Sequence, residues 1–271
     1  MKKYGITFTL DIAASLLFTT STSAATLTED EYNKLNIIFS DARISVMTDE
    51  EAQTYLSYDL EGSKVNNKYY KVTETTNGTI NEEVTKEEAL NAENESEITR
   101  GASYSTSYKQ LHISESYVTG SRYLVSLYNV WLGSPKVKSY DVMGIRTSDA
   151  TVVDGTQMGT QMYRPTTQNY YSTVNYSANG TNIRKASNGF GISMNLVDEG
   201  AYFESDIQAY VDKNTQYGEV FGSYQHAVKN VTLAQSKAYT ISHNGYGKVL
   251  NFSTSVESYY DGMAGVNVKL G

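Results

Sequence analysis

The chain has 271 residues, 30 acidic against 22 basic side chains for a net charge of −8, 24 tyrosines, two prolines and no cysteine. Thiol catalysis and thiolate metal centres are thereby excluded, and an acidic chain without a Lys/Arg cluster carries no footprint for nucleic acid or an anionic membrane surface. A chain this long buries a sizeable core without disulfides, and cysteine-free export leans toward a bacterial source.

Lys2 and Lys3, an apolar run over 4–20 and the small residues at 21–25 have the three-part form of a secretory signal, with cleavage expected after Ala24 or Ala25. Asp11 is an oddity in it, since a charge in the apolar run is costly in the membrane. No later segment of the mature chain has the length and apolarity of a spanning helix. The product is therefore expected to be secreted and either released or held non-covalently at a cell surface.

Three segments are expected: the signal peptide at 1–25, an acidic helix-containing subdomain or cap at 26–100, and an antiparallel β-sandwich at 101–271. Residues 26–100 hold 17 acidic and 7 basic side chains, whereas 101–271 hold 12 and 13, with 18 of the tyrosines. In the acidic segment, Thr28 with Glu31, Thr48 with Glu51 and Thr85 with Glu88 have the spacing of capping boxes, so helices are predicted to open at each. Tyr32, Leu35 and Phe39 make one apolar stripe and Ala52, Tyr55 and Leu56 a shorter one. Helices this short are marginal alone and need a partner surface. Residues 68–75 read as a strand leaving through Asn77-Gly78.

From 103 onward the pattern has a period of two. Residues 121–132, which include the single Trp131, are apolar on both faces and read as a central strand. Residues 201–211 alternate cleanly: Ala201, Phe203, Ile207, Ala209 and Val211 are expected inward, with Tyr202, Glu204, Asp206, Gln208 and Tyr210 facing water. Further strands are expected near 104–118, 136–146, 169–176, 189–197, 218–228, 237–242 and 248–257, separated by Gly and Asn turns. The tandem Gly-Thr-Gln-Met at 155–162 reads as a loop or irregular edge. The fold class is mainly β, an Ig-like or jelly-roll-like antiparallel sandwich preceded by a small helical acidic subdomain.

Chemistry is sparse. His112, His226 and His243 are far apart in sequence, and none belongs to a metal-ligand pair. No Gly-x-Ser-x-Gly elbow is present. Glu204 and Asp206 share one strand face, an arrangement read as surface charge rather than an acid/base pair. No cofactor or metal is expected, calcium being the one ion with oxygen ligands in reach, from 212–220 or from Asp149 and Asp154. The tyrosines are the remaining signal, because flat amphipathic rings suit contact with a protein or glycan. Tyr202, Tyr210, Tyr259, Tyr260, His243 and Tyr246 are the candidate binding-surface residues.

The expected function is a secreted, non-enzymatic β module that binds an extracellular or cell-surface protein or glycan. A β-pore-forming or self-assembling exported protein is one alternative, since 169–177 and 248–258 are amphipathic. An extracellular hydrolase of wall or polymer substrates is the other.

Overall fold

The computed structural model describes residues 24–75, 78–94, 105–243 and 249–271. The expected leader before Ala24, Asn77 of the expected turn, and Tyr246 lie outside the described residues.

Three short helices come first: α1 (Glu29–Leu35), α2 (Asp41–Ser45) and α3 (Asp49–Leu56). The capping boxes of Thr28 and Thr48 are both closed, each Thr accepting from the Glu backbone three residues on while the Glu side chain returns to the Thr N–H. Ser40 caps α2, accepting from Arg43 N. Strands β1 (Asp59–Thr75) and β2 (Gly78–Val84) follow, then α4 (Lys86–Asn94), opened by Thr85 accepting from Glu88 N at 3.1 Å.

The rest is antiparallel strand: β3 (Ser105–Thr119), β4 (Arg122–Trp131), β5 (Tyr140–Ser148), β6 (Ala150–Val152), β7 (Met158–Arg164), β8 (Ser172–Ser177), β9 (Ile183–Ala186), β10 (Gly189–Asn195), β11 (Tyr202–Lys213) and β12 (Glu219–Gln225). After α5 (Leu233–Ser236) come β13 (Tyr239–Ile241), β14 (Leu250–Phe252) and β15 (Ala264–Lys269). The large sheet runs β2-β1-β3-β4-β11-β7-β8, with β6 also on β11; the smaller runs β15-β12-β5-β10-β9, and β13-β14 form a ribbon.

The two sheets pack face to face over one core. Leu111, Val125, Leu127, Ile207 and Val211 of the large sheet meet Met143, Ile145, Ile192, Val220 and Val266 of the small one. The outer face of the large sheet is covered by the helices: Leu35, Phe39, Ala52 and Tyr55 pack with Leu60 and with Leu124 of β4. This is the partner surface the short helical stripes require. The outer face of the small sheet is covered by the β13-β14 ribbon, through Val142, Phe221, Tyr239, Leu250 and Tyr260.

The change in composition near residue 100 does not interrupt the sheet, because β1 of the acidic segment pairs with β3 over twelve registered positions. β4 is the expected central strand, buried along nearly its whole length. The tandem Gly-Thr-Gln-Met is corrected in its second half: residues 155–157 are turn and loop as expected, but Met158–Met162 belong to β7, a strand between β11 and β8. Gly159, which reads as a breaker, lies where a Cβ would come 2.7 Å from Met194 Cε and 3.0 Å from Ile192 Cδ1. Its missing side chain lets the opposite sheet approach. Of the amphipathic stretch at 248–258, the described part forms only the three-residue β14 and a 3-10 turn at Glu257–Tyr259.

Candidate functional site: an arginine–tyrosine patch and two buried ionic clusters

Arg164 ends β7 directly across from Tyr202 at the start of β11. Its guanidinium lies 3.9 Å over the Tyr202 ring and 5.4 Å from that of Tyr171. Nη1 donates to Gln168 O at 3.2 Å, tying the strand end to the turn that follows. Tyr202 is 40% exposed and Tyr170, beside Tyr171 in the chain, is 66% exposed. An arginine held between tyrosine rings has lost much of its rotamer freedom before any partner arrives, and Tyr and Arg are the residue types enriched at interface hot spots.

Beneath the patch the outer face of β11 departs from expectation. Glu204, Asp206 and Gln208 do not face water; all three are buried. Alternation placed them correctly on the face opposite Phe203 and Ile207, but the helices roof that face. Burial pushes the Glu204 carboxyl up to about 7, against hydrogen bonds from Ser40 and Tyr171, with the nearby Asp41 charge adding to the rise. Tyr171 Oη donates to Glu204 Oε1 at 3.4 Å. Asp206 is likewise raised by burial, to about 6, opposed by the charge of Arg43 and by the Ser126 hydroxyl, which donates to Oδ2 at 2.8 Å. Arg43 is itself buried and pairs with Glu51 at 2.9 Å.

Raised carboxyls in pairs are a mark of acid/base sites when they open to a cleft. The hollow beside these, lined by Tyr55, Met158, Gln208 and Tyr210, holds about 50 Å³, and another, between Lys34 and Tyr58, about 180 Å³. Both are smaller than the roughly 300 Å³ at which small-molecule sites begin.

A second ionic cluster fills one end of the sandwich interior. Lys109 of β3 places Nζ 2.7 Å from Asp261 Oδ2. Asp261 Oδ1 accepts from His226 N at 2.8 Å, and Asn81 Nδ2 donates to Oδ2 at 3.0 Å. The His226 ring pairs through Nδ1 with Asp141 at 2.9 Å, and Asp141 also accepts from Ala227 N and from the Tyr224 hydroxyl. Burial works against the imidazolium, but the charge and hydrogen bond of Asp141 outweigh it and raise His226. The Trp131 ring lies edge-on to His226, and Lys109 Nζ sits 5.5 Å from Trp131 and 5.1 Å from Tyr224. The sequence pattern gave no hint of this cluster, whose members come from distant strand ends.

The expected binding residues that are described do not form one surface. Tyr202 belongs to the patch. Tyr210, at the other end of β11, is half-buried, its hydroxyl 2.5 Å from that of Tyr58 against the helical layer. Tyr259 and Tyr260 lie across the sandwich with the ribbon cluster. Tyr260 is buried, stacked on Phe252 at 4.2 Å with its hydroxyl donating to Tyr140 O, so its ring is committed to the core. His243 is exposed beyond β13. His112, on the outer face of the large sheet, is buried against Tyr128, with ring centroids 4.3 Å apart. Of the acids considered for calcium, Asp212 is paired with Arg122 at 2.8 Å and Asp154 with Lys185 at 2.7 Å. Among the described residues no three His, Asp or Glu side chains converge as a metal site. No described helix is long and apolar enough to cross a membrane, which says nothing of strands.

No family model matches the sequence, and no curated protein matches it. Solved structures show remote likeness only. The pilus backbone protein RrgB of Streptococcus pneumoniae aligns at 12% identity over 42% of this chain and 26% of its own, with a TM-score of 0.27. The enzymatically active domain of tailspike protein 4 of bacteriophage CBA120 aligns at 8% identity over 56% and 18%, with a TM-score of 0.23. The NetB toxin of Clostridium perfringens, in its membrane-inserted form, aligns at 9% identity over 60% and 84%, with a TM-score of 0.20. This chain thus spans only about a quarter of the pilus protein's structure. At such scores these likenesses carry no argument about its activity.

Proposed function

We propose that the protein is a secreted, non-enzymatic β module that binds an extracellular protein or glycan through the patch around Tyr202. The observation that carries this reading is the exposed Tyr202 ring at a strand end, with the half-buried Arg164 over it and beside Tyr171, and tied by a hydrogen bond to the turn behind it. Rigid amphipathic rings give contact area at low entropic cost, and the arginine fork adds directional hydrogen bonding. The leader-like sequence at 1–25 supports export. Glu204 and Asp206 are both buried beneath the helices, and neither lines either hollow, which favours binding over hydrolysis.

The test is a solid-phase screen of the labelled full chain against extracellular-matrix proteins, serum proteins and a glycan array, repeated with the Tyr202→Ala/Arg164→Ala double variant. The reading expects saturable binding to at least one target, weakened tenfold or more in the double variant while its circular dichroism is unchanged. Saturable binding that the double variant retains would move the site elsewhere, and binding to none of the targets would remove the reading.

A further inference from the structure

The buried Lys109–Asp261 contact has the makings of a covalent bond. Both side chains are 0% exposed, and Nζ lies 2.7 Å from Oδ2, within reach of the carboxyl carbon. We propose that Lys109 and Asp261 condense into an intramolecular amide that locks β3 to the segment entering β15.

The step balances. The ammonium passes one proton to Oδ2 of the carboxylate it already touches, leaving a neutral amine and a carboxylic acid. The Nζ lone pair attacks Cγ, and charge develops on Oδ1, where the His226 backbone N–H already points at 2.8 Å. A fixed donor at that oxygen stabilises the tetrahedral state. Nζ then yields a second proton, Oδ2 departs as water, and an uncharged secondary amide remains. The Asn81 amide, donating to Oδ2 at 3.0 Å, assists that departure. No oxidant, cofactor or external reactant is needed.

Proximity and burial drive the reaction forward. An amine and an acid dissolved in water do not condense appreciably, but groups held in contact react with effective molarities on the order of 10⁵–10⁸ M. The Trp131 and Tyr224 rings beside Nζ keep the site dry, which opposes hydrolysis of the product. Condensation also removes two buried charges whose desolvation is costly even when they are paired. The neighbouring His226–Asp141 pair is self-balanced and stays intact.

The bond would close a loop across most of the β region, since its ends are 152 residues apart in sequence. Such a cross-link restricts the unfolded chain. It also places a covalent tie near the last strand, where an extracellular module would otherwise begin to peel.

The experiment is intact mass spectrometry of the full chain under denaturing conditions, with its N-terminus read independently. The expected mass is one water below that of the sequence, and a tryptic digest should contain a branched species joining the Lys109 and Asp261 peptides. Lys109→Arg, which keeps the ion pair but cannot condense in this way, should restore the full mass. A full mass in folded wild-type protein overturns the proposal. So does a lost water that persists in Lys109→Arg without a branched peptide, because cyclisation at Asp261-Gly262 would lose the same water.

Discussion

The indole nitrogen of Trp131 donates to the Tyr224 hydroxyl at 2.7 Å, a hydrogen bond that runs across the sandwich from the large sheet to the small one. Tyr224 passes its own proton donor on to Asp141. Three buried groups from β4, β12 and β5 thus share one chain of hydrogen bonds, and the only tryptophan in the sequence reports on it.

Tyr224→Phe removes the central hydroxyl and leaves the Trp131 N–H without its acceptor and Asp141 short of a donor. Stranding buried polar groups costs about 1–3 kcal/mol each. Urea unfolding followed by Trp131 emission should show a clearly lower midpoint with an unchanged slope. An unaltered midpoint would mean that the hydrogen-bond chain contributes little to holding the sheets together.

Stability should fall as pH rises from about 5 to about 7.5. Glu204 and Asp206 are raised by burial to about 7 and about 6, while in the unfolded chain they ionise near 4. Between those limits the folded state holds more protons, so stability is greater on the acid side and is lost as pH climbs through the folded values, on the order of 3 kcal/mol per carboxyl. The raised His226 acts in the same sense. His112, held down to about 4 by burial, acts oppositely: its contribution is present above about 6.5 and is lost as pH falls. Calorimetry across this range should show the fall in wild type and a smaller fall in Glu204→Gln and in Asp206→Asn. Equal pH dependence in all three would show that these carboxyls are not the source.

Gly159→Ala tests the close approach of the sheets at β7. The added methyl would press on Met194, Ile192 and Ile207, and overpacking of this kind costs about 1–3 kcal/mol. A lower thermal midpoint is expected. A neutral or stabilising result would show that the core yields there, and that Gly159 is not needed for the packing.

Local rules carried the reading a long way where the cause is local. Capping at Thr28 and Thr48 needs only residues three apart, and both helices open there. The two-sided apolarity of 121–132 requires cover on both faces, and β4 has it. For β11 the alternation separated the two faces correctly but could not say what lies over the polar one. That depended on α2, more than 150 residues earlier in the chain, folding back over Glu204 and Asp206.

The candidate site was legible only in part. Tyr202 is identifiable as an outward-facing ring, yet its value as a contact comes from Arg164, brought across by strand register rather than by sequence proximity. Tyr260 shows the reverse: a tyrosine in a polar stretch is drawn into the core because the ribbon places Phe252 against it.

Composition and periodicity by themselves determined the absence of thiol chemistry, the β-rich class, the helical acidic segment and the helix starts at Thr28, Thr48 and Thr85, because each follows from residue identity or from contacts a few positions apart. The tertiary structure alone decided that the acidic segment lends two strands to the main sheet, that polar strand faces are roofed, and that Lys109 meets Asp261 in a dry interior. These outcomes depend on which surfaces meet when the sheets close, and pairings between residues far apart in the chain leave no periodic trace in it.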